Sequence, residues 1–361
     1  MGGSIFLRIA AVLLAIAGIS LSVQAQTMHE PSGVILPSNV DDMQIAPRKI
    51  GIYGEFARAY DFANEADRIE IYVFRATYPN ASVWFPMAKR RALGLLEAGQ
   101  PTPFNEPTIV ATGSEAPNTI RQTYWFSKHY KSSAIATVSL GDWIVFVMTT
   151  SKVLEPAQQQ ARMDTILAQV ASRGGPSPSP PITVIEQCAQ STMMDSYRIF
   201  DTAFISDPGV EMVTIGALGM QFANIGAIAG SPEGLVQSPN RYCMESSESG
   251  KTMLFRSKGE DPLRRWIMPM DVSGMSIEGM ALPYPSETDE QATIGAVVAN
   301  NFEGSSLVAM TPEWPHPISS AFEGFKGLMT EPAYAFVDHG SDTITILTEP
   351  DGGAPHPQSN E

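Results

Sequence analysis

The chain has 361 residues, of which 43% are hydrophobic and 17% charged, and its formal net charge is −15. That much apolar side chain builds packed cores and excludes a disordered chain. The acidity excludes a nucleic-acid binder working through phosphate contacts, which need Lys and Arg, and disfavours anionic membrane surfaces.

Arg8 is the only charged side chain in the first 25 residues. The small-residue apolar run Ile9 to Val23 follows and ends at Val23-Gln24-Ala25, a small-x-small site. This is the pattern of a secretory signal peptide (residues 1–25) cut between Ala25 and Gln26. The run is shorter than the roughly 20 apolar residues of a membrane span, and no Cys stands at the cut for lipid attachment. Export to the periplasm or the medium is the expectation; the alternative keeps residues 9–23 as an uncleaved anchor. At about 100–200 residues per domain, the mature chain predicts two domains.

Residues 26–47 read as a disordered linker. A first domain is expected over 48–172. Arg68 to Arg75 alternates, with Ile69, Ile71 and Val73 on one face, and Ile52 to Phe62 is its hairpin partner through the turn Asn64 to Asp67. Ala81, Phe85, Ala88, Ala92, Leu95 and Leu96 share one helical face, with Pro86 near the start and Gly99 as C-cap. Thr108 to Thr112 and Ile120 to Phe126 read as strands. Ala134 to Leu140 and Trp143 to Thr149 flank Gly141-Asp142, a two-residue hairpin of type II′. Pro156 opens a helix whose Met163, Ile166, Leu167 and Val170 form the i, i+3, i+4, i+7 stripe.

A mostly antiparallel sheet covered by two helices satisfies this predicted order. This order resembles that of PsbP-like α/β sandwiches. The resemblance is one of layout over one domain and implies an α+β class, without a function.

Residues 173–181 (Arg173 to Pro181) form a Pro/Gly/Ser linker. The second domain, 182–348, is expected to be β-rich with one or two helices, at Ala189 to Phe204 and Ile318 to Gly327. Its strand candidates are Arg241 to Glu245, Thr252 to Ser257, Trp266 to Val272, Thr293 to Ala299 and Leu307 to Met310, then a hairpin of Ala333 to Val337 with Thr343 to Leu347. The tail, 349–361, reads as disordered. Charge is uneven: residues 46–173 balance at +3 and residues 174–361 at −16. Cys188 and Cys243 both fall in the acidic half and form an expected disulfide in an oxidising compartment. Closing 55 residues contributes about 4 kcal/mol by loop entropy.

Motifs that carry chemistry are sparse. Gly250-Lys251-Thr252 ends like a P-loop, but Glu245 stands where the first Gly belongs. Val213 to Gly230, with Gly216, Gly219, Gly226 and Gly230, lacks dinucleotide-binding spacing and reads as buried strand or loop. No nucleophile elbow, zinc-helix motif or paired C-x-x-C occurs in the sequence. His29 and His356 fall in expected tails, and His129 in an exposed loop. Lys89-Arg90-Arg91, near Tyr78 and Trp84, reads as a polar helix face or as a dock for the acidic second domain. The Met-rich second half suits an irregular core or an adaptable surface.

No catalytic residue, cofactor or metal ligand is assigned. The expectation is an exported, two-domain, non-catalytic binding or cell-envelope protein whose partner is a small molecule or an envelope protein. One alternative is a periplasmic hydrolase or metal-binding enzyme with Glu313, His316, Asp338 and His339 in one site. The other is a membrane-tethered structural protein.

Overall fold

The computed structural model describes residues 26–49, 57–95, 101–175, 180–189, 235–246, 253–258, 265–270, 275–283, 293–300, 304–311, 335–338 and 343–346. Residues expected to be disordered from 26 to 47 instead form strands. β1 (Gln26–His29) pairs antiparallel with β2 (Val34–Pro37), β3 (Asn39–Val40) pairs with β4 (Met43–Gln44), and β5 (Ala46–Lys49) joins a larger sheet. The reason is burial: Val34, Leu36, Val40 and Met43 are each 5% exposed or less. Four apolar side chains removed from water offset the ordering of a short segment.

β6 (Ala57–Ala63) and β7 (Asp67–Arg75) make the expected hairpin. Asn64 holds its turn, its Oδ1 accepting from the N–H of Ala66 at 2.9 Å and of Asp67 at 2.8 Å. α1 (Ala81–Leu95) follows, with Pro86 in its second turn, where proline has no N–H to give the Ser82 carbonyl. β8 (Thr102–Pro103), β9 (Thr108–Val110), β10 (Thr119–Trp125), β11 (Ser132–Leu140) and β12 (Trp143–Ser151) lead to α2 (Pro156–Leu167) and β13 (Ala171–Ser172). Leu140 pairs with Trp143 across Gly141-Asp142, and Gly141 takes φ 60, as a type II′ turn requires of its first position. Gln158 Oε1 accepts from the Glu155 N–H at 3.0 Å, capping α2 behind Pro156.

The first large sheet runs β5-β6-β7-β12-β11-β10-β8, with β9 also on β10. Both faces are covered. Ile69, Ile71 and Val73 lie as expected on one face, under Met163, Ile166 and Leu167 of α2 and the N-terminal hairpins. Tyr72, Phe74, Ile135 and Phe146 lie on the other, under α1.

The second sheet is an antiparallel meander of β14 (Tyr242–Ser246), β15 (Met253–Ser257), β16 (Arg265–Met270), β17 (Met275–Pro283), β18 (Thr293–Asn300), β19 (Gly304–Thr311), β20 (Ala335–Asp338) and β21 (Thr343–Ile346), in chain order. A register shift between Val297 and Val298 interrupts the β18–β19 ladder. Tyr242, Met244, Phe255 and Ile267 join Trp84 and Phe85 of α1 in one apolar cluster. Polar ties cross the same seam. Asn80 Nδ2 donates to the carbonyls of Pro181 at 2.9 Å and Val236 at 2.6 Å. Ser82 Oγ accepts from the Thr183 N–H at 2.8 Å, and Thr77 Oγ1 donates to Ser276 Oγ at 3.3 Å.

The described architecture is therefore α+β and rich in strand, with two α-helices among the described residues. Residues 190–204 and 318–327 of the expected helices, the run 213–230 and the tail lie outside the described residues.

Candidate functional site

Glu313, His316 and His339 lie outside the described residues, and Asp338 closes β20 opposite Gly304 and Thr343. Gly250-Lys251-Thr252 and His356 also lie outside. Among the described residues no three His, Cys, Asp or Glu side chains converge as metal ligands, and no helix is long and apolar enough to cross a membrane. Cys188 and Cys243 are bonded, and the described residues hold no free cysteine. The bridge fastens residues 186–188 to the edge of β14, where Cys188 N–H donates to the Met244 carbonyl and Met244 N–H to that of Glu186.

His29 corrects its expected place in a tail. It is 2% exposed, edge-on to Trp143 at 5.3 Å, with Nδ1 2.6 Å from Ser32 Oγ. Burial, reinforced by the Arg58 charge, lowers its pKa to about 4, so the ring is neutral and structural. His129 is exposed, as expected, in the turn after β10, with φ 53. Lys89 of the basic run sits 5.6 Å over the Tyr124 ring, inside the first sheet's own packing. Burial lowers its pKa against the opposing charge of Glu106.

Two charged clusters hold the first sheet together. Arg162 grips Asp67 through both nitrogens, at 3.0 and 3.2 Å, and Asp41 at 2.9 Å, tying α2 to β7 and the β3–β4 turn. Burial pushes the Asp67 carboxyl up, but hydrogen bonds from Arg162, Ser151 and Asn64 outweigh it, leaving the pKa below the ordinary value. At the other cluster, buried Glu70 meets Arg68 at 2.5 Å and the Tyr72 hydroxyl, while Arg48 meets Asp61 at 2.8 Å. Each charge in these clusters has an opposite partner, so they act as struts.

One corner of the first sheet has a different character. Trp125 is 45% exposed and Phe104 48%. Trp125 stands opposite Thr102, and Phe104 N–H donates to the Thr123 carbonyl at 2.9 Å. That register makes Phe104 and Trp125 diagonal neighbours on the α2 face of the sheet. The same row continues through Ser132 to Ser151. Ser151 Oγ accepts from the N–H of Val153 and Leu154, and Ser132 Oγ donates to the Leu154 carbonyl. These bonds fold the next loop back over the same end, where Val153 is 56% exposed.

Asn105 braces the corner. Its Oδ1 accepts from the Thr123 N–H at 2.9 Å, its carbonyl from Gln122 Nε2 at 2.9 Å, and its Nδ2 donates to Gln160 of α2 at 3.3 Å. Lys128 and His129 are exposed in the turn that follows Trp125, while Lys152 bonds the Glu65 carbonyl of the β6–β7 turn. Strand phase puts Trp125 on the face opposite Ile120 and Tyr124, but that face is itself covered at Thr119 and Thr123, so phase alone does not expose it.

No protein-family model and no curated protein sequence matches this chain. A solved structure from Bacteroides thetaiotaomicron VPI-5482, at 1.50 Å resolution, is similar over 42% of this chain and 49% of that one, at 11% identity and a TM-score of 0.22. The match thus spans about half the length of that protein.

Proposed function

We propose that this is an exported binding protein of the cell envelope, and that the Phe104–Trp125–Val153 corner is its contact surface. The corner carries the reading. Isolated apolar side chains are ordinary on a surface, but Phe104 and Trp125 are exposed aromatic neighbours across one ladder, with Val153 exposed in the loop after β12, and a paired aromatic surface of this kind suits a binding patch. Tryptophan is enriched among the residues that anchor such patches. Export is supported by Arg8, the apolar run 9–23 and the small-x-small site ending at Ala25. The Cys188–Cys243 bridge is also the chemistry of an oxidising compartment.

The test is a photo-crosslinking phenylalanine analogue at position 125 in the native host, with a second at exposed Glu115 as control. Binding through the corner gives a discrete adduct from position 125 and none from 115. Equal labelling from both positions, or none from either, would overturn it.

A further inference from the structure

We propose that the mature chain carries a pyroglutamate at position 26. The inference rests on the export reading, since cutting after Ala25 frees the Gln26 α-amine.

Two observations favour cyclisation at this residue. β1 is an edge strand of the small sheet β1-β2-β13, and Gln26 is its first residue. Gln26 is exposed, whereas His29, three residues on, is buried. The Gln26 side chain makes no hydrogen bond or ion pair with any described residue, so its carboxamide is free to fold back onto the chain's own terminus.

The chemistry is internal and balanced. The neutral α-amine attacks the side-chain carboxamide carbon, a carbon–nitrogen bond forms, and a five-membered lactam closes. The bond to the carboxamide nitrogen breaks, and that nitrogen leaves as ammonia with the proton given up by the amine. No oxidant or cofactor enters. The lactam nitrogen keeps one N–H. Gln26 pairs with Pro37, which can take part in the ladder only as an acceptor, and the retained lactam N–H keeps the backbone donor of residue 26. Its one electrostatic consequence is loss of the terminal ammonium charge.

Intact-mass and N-terminal sequencing of the full chain recovered from its own host tests this, alongside a Gln26→Asn chain whose shorter side chain would have to close a four-membered ring. The expected result is a wild-type chain one ammonia lighter than the linear sequence from Gln26, blocked to sequencing until pyroglutamyl aminopeptidase removes the cyclised residue, after which the sequence begins at Thr27. The variant should keep a free amine. A wild-type chain that begins at Gln26 and still has a free amine after prolonged incubation overturns the proposal and leaves export standing. A chain that retains residues 1–25 overturns both.

Discussion

The two sheets solve the burial problem differently. The first is covered on both faces, by α2 and the N-terminal hairpins on one side and by α1 on the other. It supplies nearly all of its own core. On one face of the second sheet Tyr242, Met244, Phe255 and Ile267 pack into the cluster that contains α1, while Leu254 and Trp266, fully buried, lie on the other face. α1 thus serves two sheets, and its first eight residues, Ala81 to Ala88, are all buried. A helix buried all round carries apolar residues all round, and Val83, Trp84, Phe85 and Met87 do so. The difference teaches that the first sheet closes both of its faces with its own elements, while the second shares the cover of one face with it.

That contrast can be broken at its strongest point first. Arg162→Ala leaves Asp67 buried without its partner and releases the Asp41 turn. Loss of about 3–5 kcal/mol is expected, read as a lower urea midpoint. A midpoint within error of wild type would show that the clamp is ornamental.

Asn80→Ala sharpens the contrast, because Asn80 spans the seam. It leaves the Pro181 and Val236 carbonyls and the Ser82 N–H without their partner, for a loss of about 1–3 kcal/mol. If the seam is a true core, this change lowers the stability of both sheets together; an effect confined to the second sheet argues against it.

The smallest effect is set by pH at the N-terminal hairpin. The folded His29 pKa of about 4 lies below the unfolded value of 6.5. The unfolded chain therefore binds more protons between those values, and stability rises with pH. The contribution is complete above pH 6.5 and is lost as pH falls toward 4, reaching on the order of 1 kcal/mol by pH 5.5. His29→Gln should flatten that part of the stability profile. An unchanged slope would mean that the hairpin is not held through a neutral imidazole.

The centre of the first sheet was legible because β6, β7, β10, β11 and β12 run for seven to nine residues and its second helix carries a clean stripe, whereas the short edge strand β8 left no signal. The strands of the meander were mostly legible too, except β17, where Gly279 and Pro283 break the strand pattern. The N-terminal strands were not. They are two to four residues long, punctuated by Pro31, Pro37 and Pro47, and their only strand signal is the Val34, Leu36 alternation. α1 was read as amphipathic because a domain standing alone leaves its helices one wet face. Nothing local in Ala81 to Ala88 announces a second sheet on that side. The corner at Phe104 and Trp125 was hidden for a related reason. β10 was legible as a strand, but which residues its far end leaves uncovered depends on where β8 and the loop after β12 come to rest.

Hydrogen exchange followed by mass spectrometry in rising urea tests the shared core most directly. The peptides to compare cover Tyr72 to Phe74 in β7 and Phe255 and Ile267 in β15 and β16. A single core through α1 predicts that all of them open in one transition, with one midpoint and one urea dependence. If the β15 and β16 peptides open at lower urea while β7 stays protected, the second sheet unfolds on its own and the shared core is refuted.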